Sequence, residues 1–285
     1  MQSLLQIEEM TRKVHNNNNI LVPIDFSEIS FSALEHAKTM AVKYNNEITL
    51  LHIEDDTAKS ESRLIELAGN IKNELNVNVH TLLKSGKVSD MIAQVAEVGN
   101  YDSIVMGSGG SSGMQLFMGS NASKVIRSIK IPVIVVKTGQ TFDGYDKIVM
   151  PVDLSVESKQ KVGWAKHLAK KYDSTIHVIY EEEDDEYFQK NIKANINQVS
   201  DILTEAGVKH ELFKLEDDTF PGKLYKDTLQ YAEQIDADLI LVMTQLEGSF
   251  MDFVIGSHAQ LIVNRAKCAV MVVQPSETGF SFDYL

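Results

Sequence analysis

The chain has 285 residues, 44% of them hydrophobic and 24% charged, which suits a globular protein of one large or two ordinary domains. Its formal net charge of −13 excludes a nucleic-acid backbone or an anionic membrane surface as the main partner, because both recruit Lys and Arg. A single cysteine, Cys268, excludes an internal disulfide framework; with no apolar window long enough to span a bilayer, and with Glu8 and Glu9 near the start, a cytoplasmic protein is expected.

A lead-in over residues 1–19 precedes the first apolar run, 20–25, which reads as a buried strand ending in Asp25. Residues 27–41 put Ala33, Leu34, Ala37, Met40 and Ala41 on one helical face. A strand at 47–53, a helix at 63–75, an alternating strand at 77–84 and a helix at 88–98 follow. The apolar run 103–106 is a fourth strand, residues 122–129 a fourth helix and 132–137 a fifth strand. Strands alternating with helices at this spacing predict a parallel sheet with right-handed crossovers.

The pattern then recurs. Asp153, closing Ile148-Val-Met-Pro-Val-Asp153, answers Asp25 at an offset of 153 − 25 = 128. Gly222-Lys223 answers Gly86-Lys87 at 136, and Gly256-Ser257 answers Gly119-Ser120 at 137. The growth in offset is expected in the acidic stretch 181–186, which reads as a solvated loop. Two domains of one fold, 20–138 and 146–275, are therefore expected, joined by a linker at 139–145 and followed by a tail at 276–285.

Between the fourth strand and fourth helix lie Gly107, Gly109, Gly110, Gly113 and Gly119. A strand that ends in a glycine-rich turn and feeds a helix presents free backbone N–H groups at the positive end of a helix dipole, which suits a phosphate. The other reading is a flexible connection, with Gly119-Ser120 a tight turn and helix cap. Asp25 is likewise either a turn carboxylate or a ligand contact, and His52 reads as a satisfied strand-end histidine. Counting back from Gly256 without gaps, Gly107 and Gly110 become Thr244 and Glu247, and at offset 128 Ile53 becomes Glu181. The second domain is thus expected to be degenerate for phosphate. Trp164 and Cys268 read as core. No G-x4-G-K-[ST], His-Glu-x-x-His or Cys-x-x-Cys spacing occurs, and the serines of the loop have no histidine in local reach.

Pro23-Ile-Asp-Phe-Ser27, Leu50-Leu-His-Ile53, the glycine loop with Gly119-Ser120, and Pro132-Val-Ile-Val-Val136 resemble the universal stress protein family of the tandem kind. The resemblance implies an α/β fold: two flavodoxin-like (adenine nucleotide alpha hydrolase-like) domains, each a five-stranded parallel sheet in the order 3-2-1-4-5. It implies pairing through the last strands, here 133–137 against 269–274, with a homodimer as a further level of assembly. Members that bind ATP carry G-x2-G-x9-G-[ST]; here only eight residues separate Gly110 from Gly119. On that resemblance ATP, with Mg²⁺ on its phosphates, would meet Ile24 and Asp25 at the base and ribose edge and Ile53 as an apolar wall. Gly107, Gly110 and Gly119 would admit the phosphates, with Ser120 and Asn121 beneath the charge. The function implied is a stress-response sensor or regulator and not an efficient enzyme. A non-nucleotide interaction module using the acidic surface, and a slow ATP hydrolase, are the alternatives.

Overall fold

A computed structural model describes residues 18–54, 57–108, 120–154, 156–181, 185–215, 224–247, 252–254 and 257–275. They form two compact units that divide between Phe142 and Asp143.

The first unit runs β1 (Asn19–Pro23), α1 (Glu28–Tyr44), β2 (Glu47–Ile53), α2 (Thr57–Leu75), β3 (Val79–Lys84), α3 (Val88–Val98), β4 (Ser103–Gly107), α4 (Ser120–Ser128) and β5 (Val133–Val136). All its strand pairs are parallel, in the order β3-β2-β1-β4-β5. The inner strands are continuous apolar runs because helices cover a parallel sheet: Ile20, Leu21, Leu50, Ile104 and Val105 are fully buried. Helix α1 begins where Ser27, in extended conformation, accepts a hydrogen bond from the Ser30 amide, and it ends at Asn45 in the left-handed region.

The second unit repeats this plan with β6 (Lys147–Pro151), α5 (Val156–Tyr172), β7 (Thr175–Glu181), α6 (Glu186–Glu205), β8 (His210–Leu215), α7 (Leu224–Gln234), β9 (Leu239–Met243), α8 (Ser257–Arg265) and β12 (Ala269–Val273). Its order is β8-β7-β6-β9-β12, again parallel. One addition has no counterpart among the described residues of the first unit: an antiparallel hairpin of β10 (Gln245–Glu247) and β11 (Asp252–Val254) between β9 and α8.

The element bounds relocate the extra residues of the second half. The offset is 128 through β6, α5 and β7, and the acidic connector accounts for one residue only, 182–185 against 54–56. Most of the growth comes later, where residues 216–223 join β8 to α7 and only 85–87 join β3 to α3. The acidic composition marked the wrong loop. Two core assignments also change: Trp164 is half-buried, its ring edge-on to His167 at 6.2 Å between centroids, and Cys268 is half-buried just before β12.

Each unit holds its own end of the connecting segment. Phe142 stacks on His36 of α1 at 3.7 Å between ring centroids, and Tyr145 is fully buried against Tyr172 of α5 at 4.8 Å.

Candidate functional site

In the first unit β1 pairs with β2 at five positions, to Pro23↔Leu51, but with β4 at only two, Ile20↔Ser103 and Leu21↔Ile104. Strands β1 and β4 therefore part toward their carboxyl ends, at the point where strand order reverses. That crevice is where open parallel sheets receive ligands. Ile24 lies just past β1, buried, with its amide donating to the Leu51 carbonyl at 2.8 Å; Ile53 ends β2, half-buried.

Asp25 follows, exposed. Its Oδ1 accepts from the Ser27 amide at 3.0 Å and from the Ser27 hydroxyl at 2.5 Å. Partial burial pulls the Asp25 pKa upward, but bonds from the Ser27 hydroxyl and amide and from Ser30 outweigh it and hold it below the ordinary carboxylate value. Asp25 thus serves the turn that opens α1 and still faces solvent as a carboxylate.

Between them sits Phe26, with φ +62°, a conformation that a bulky side chain adopts only when its surroundings impose it. The imposing neighbours are visible. The Arg63 guanidinium of α2 lies 3.9 Å over the Phe26 ring, and His52 packs 4.9 Å from it. His52 Nδ1 is 2.6 Å from the Ile24 carbonyl and its Nε2 3.2 Å from Glu54, so the satisfied strand-end role is the one observed. Imidazole, phenyl and guanidinium together fix the chain that carries Ile24 and Asp25.

Gly107 ends β4, and its bare α-carbon has a packing reason. A Cβ there would lie 2.4 Å from Ile29 Cγ1 and 2.7 Å from the Ile29 carbonyl oxygen. The glycine lets α1 approach the sheet; phosphate access is not required to explain it. Helix α4 begins at Ser120, so Ser120 and Asn121, the latter exposed, stand in its first turn, where free N–H groups point outward. Gly110, Gly119 and the Ser120 side chain lie outside the described residues.

The second unit has the same crevice with different contents. Strands β6 and β9 pair only at Ile148↔Leu239 and Val149↔Ile240, so they too part toward their carboxyl ends. This register sets Ser103 opposite Leu239 and makes Met243, not Thr244, the counterpart of Gly107; the Ser108 and Thr244 amides bond the Val136 and Val273 carbonyls alike, at 2.9 Å. The gap-free count from Gly256 fails because twelve residues, 108–119, join β4 to α4 and thirteen, 244–256, join β9 to α8. Met243 is 7% exposed, and Glu181 ends β7 where Ile53 ends β2.

Sequence reading missed Lys161. It stands on α5 in the place of Ala33 on α1, 161 − 128 = 33, and is 7% exposed. Its Nζ donates to the Pro151 carbonyl, and burial lowers its pKa to about 8, with the nearby Asp153 carboxylate opposing the fall. The signal was available: a lysine at the register of a buried alanine in the repeat.

The model of the Universal stress protein family matches residues 16–137 and again 144–274. The chain belongs to the universal stress protein family. Universal stress protein Slr1230 of Synechocystis is 22% identical over 293 residues, spanning 89% of this chain and 98% of its own. Universal stress protein MJ0577 of Methanocaldococcus jannaschii is 30% identical over 151 residues, 41% of this chain and 93% of its own. A solved universal stress protein from Archaeoglobus fulgidus superposes with a TM-score of 0.74 at 23% identity, covering 92% of this chain and all of its own. These likenesses account for the fold of both units in tandem; the difference between the two crevices is read from this chain's own residues.

Proposed function

We propose that the first domain of this universal stress protein binds ATP in the crevice between β1 and β4, and that the chain acts in stress response as a sensor or regulator. The observation carrying this reading is the convergence of Ile24, Asp25, Ile53 and the start of α4 on the carboxyl edge of one sheet whose central strands part there. The apolar side chains suit a base, the ionised Asp25 suits ribose hydroxyls, and the helix N-terminus suits phosphate. Among the described residues no three His, Cys, Asp or Glu side chains gather to hold a metal ion, so Mg²⁺ would arrive on the phosphates. The Asp25 carboxylate is held by the Ser27 amide and hydroxyl in the turn that opens α1, and its lowered pKa makes it a weak base, which supports binding over efficient hydrolysis. With one cysteine and no helix long and apolar enough to cross a membrane among the described residues, the cytoplasm is the proposed setting. Association of the domains through their fifth strands, and a homodimer, belong to the same proposal.

A second reading is favoured by Gly107, whose lack of a side chain serves Ile29, and by the eight-residue spacing from Gly110 to Gly119. It is an interaction module that binds no nucleotide and works through its acidic surface. Calorimetric titration of ATP with Mg²⁺ into the wild type and into Gly110→Glu separates the two. Heat in the wild type that the variant abolishes is expected; equal or absent heat in both leaves the interaction module. Phosphate release compared with Asp25→Asn tests slow hydrolysis in the same preparation.

A further inference from the structure

The strongest unexplained group is Lys161, a buried lysine where the other domain has Ala33. Its position follows from the sheet. Val152, after β6, gives its amide to the Ile179 carbonyl on the β7 side at 2.8 Å. The Pro151–Val152 peptide is planar and trans, so the Pro151 carbonyl faces the opposite side, toward β9, beyond the last β6–β9 pair. That carbonyl accepts the Lys161 ammonium, and the Asp153 carboxylate lies close enough to favour its charge. The other polar groups at this edge include Glu181, which ends β7 with one carboxylate oxygen buried, Asn195 of α6, 3.5 Å from the Asp153 carbonyl, and Thr244 after β9, whose buried hydroxyl meets no partner among the described residues.

We infer that the second domain's crevice is a site for an alkylammonium cation, and that Lys161 is its tethered occupant. Residues of the sheet edge supply the acceptors, α5 supplies the cation, and the crevice is closed to nucleotide from within. The inference concerns the second domain and holds whether or not the first binds ATP.

The test removes the tether and offers the cation back. In Lys161→Ala, methylammonium chloride is expected to raise the melting temperature in a saturable way, beyond equimolar sodium chloride, while wild type and Lys161→Met show no such rise. No excess over sodium chloride in Lys161→Ala overturns the assignment. Lys161→Met, which keeps the volume, covers the event that the alanine variant fails to fold. The folding equilibrium constant of the wild type relative to Lys161→Met should then rise by up to about tenfold per pH unit between about 8 and 10.5, as the unfolded chain alone holds the proton. A flat ratio overturns the buried charge and the proposal with it.

Discussion

The two domains share a backbone plan and differ at the point where a ligand would sit. Ala33 beneath the first crevice answers Lys161 beneath the second; Ile53 answers Glu181, and Gly107 answers Met243. After β4 comes a loop of glycines and serines, and after β9 a loop one residue longer that folds into a hairpin. A hairpin commits the inward-facing part of its backbone N–H groups to its own ladder, which leaves fewer to gather around a phosphate. The fold survives every one of these exchanges. What the comparison teaches is that strands and helices constrain the crevice's location, whereas its lining changes freely at Ala33/Lys161, Ile53/Glu181, Gly107/Met243 and the loop that follows.

The largest expected effect separates the domains by acid. His36, enclosed on α1 under Phe142, has its pKa lowered by burial to about 3, while its counterpart at offset 128 is Trp164, which does not titrate. Since the folded value lies below the ordinary 6.5, the unfolded chain binds the proton first, and stability falls as pH drops from about 6.5 toward 3. A shift of 6.5 − 3 = 3.5 corresponds to at most about 4–5 kcal/mol across that window. Calorimetric melting from pH 7 to 4 should show the first domain's transition falling ahead of the second's. His36→Leu should flatten that fall; an unchanged profile would mean that other groups govern the acid response.

Lys161 comes next. Its value of about 8 against an ordinary 10.5 amounts to about 3 kcal/mol, by which the stability of the wild type should gain on Lys161→Met between those pH values. The converse exchange, Ala33→Lys, sharpens the comparison. It should remove whatever ATP binding the first domain has while Gly107 and the glycine loop stay intact, and retained affinity would show that the ammonium does not reach the crevice.

Gly107→Ala should cost about 1–3 kcal/mol, since the new methyl meets the Ile29 carbonyl oxygen, which is backbone and cannot swing away. Chemical denaturation checks this. A neutral result would mean that α1 shifts freely, and would return Gly107 to the list of glycines kept for a ligand.

Much of this was legible in the sequence. Continuous apolar runs and the 128-residue repeat identify both sheets, because parallel strands covered by helices leave no polar alternation to confuse them. Asp25 and Ile53 were placed at strand ends by their neighbours' hydrophobic pattern, whereas Asn121 entered through the family resemblance. Three things were not legible, each for a physical reason. The Gly107–Met243 equivalence depends on strand register, which a loop insertion hides from a linear count. The role of Gly107 depends on Ile29, seventy-eight positions away (107 − 29 = 78) and adjacent only in the fold. Lys161 presented as one more charged residue on an amphipathic helix, and only the Pro151 carbonyl explains why it points inward.

The smallest expected effect concerns the stack that fixes the first crevice. Phe26 is left-handed at φ +62°, whereas Leu154, its counterpart in the second domain, is not. The Arg63 guanidinium, on an exposed residue, lies over the Phe26 ring at 3.9 Å, a contact worth about 0.5–1 kcal/mol at such a site. Its loss competes with a backbone strain of about 1–3 kcal/mol at Phe26, so Arg63→Ala should release the left-handed turn before it unfolds anything. The expected outcome is a fall in melting temperature of no more than a few degrees, with a clear change in the His52 ring-proton shifts as Phe26 leaves its face. Arg63→Lys should restore the stability in part but not the shifts, because an ammonium lacks the flat face that guanidinium lays on a phenyl ring. Unaltered His52 resonances in both variants would show that β1, β2 and Ser27 hold the turn without help, leaving Arg63 as surface charge.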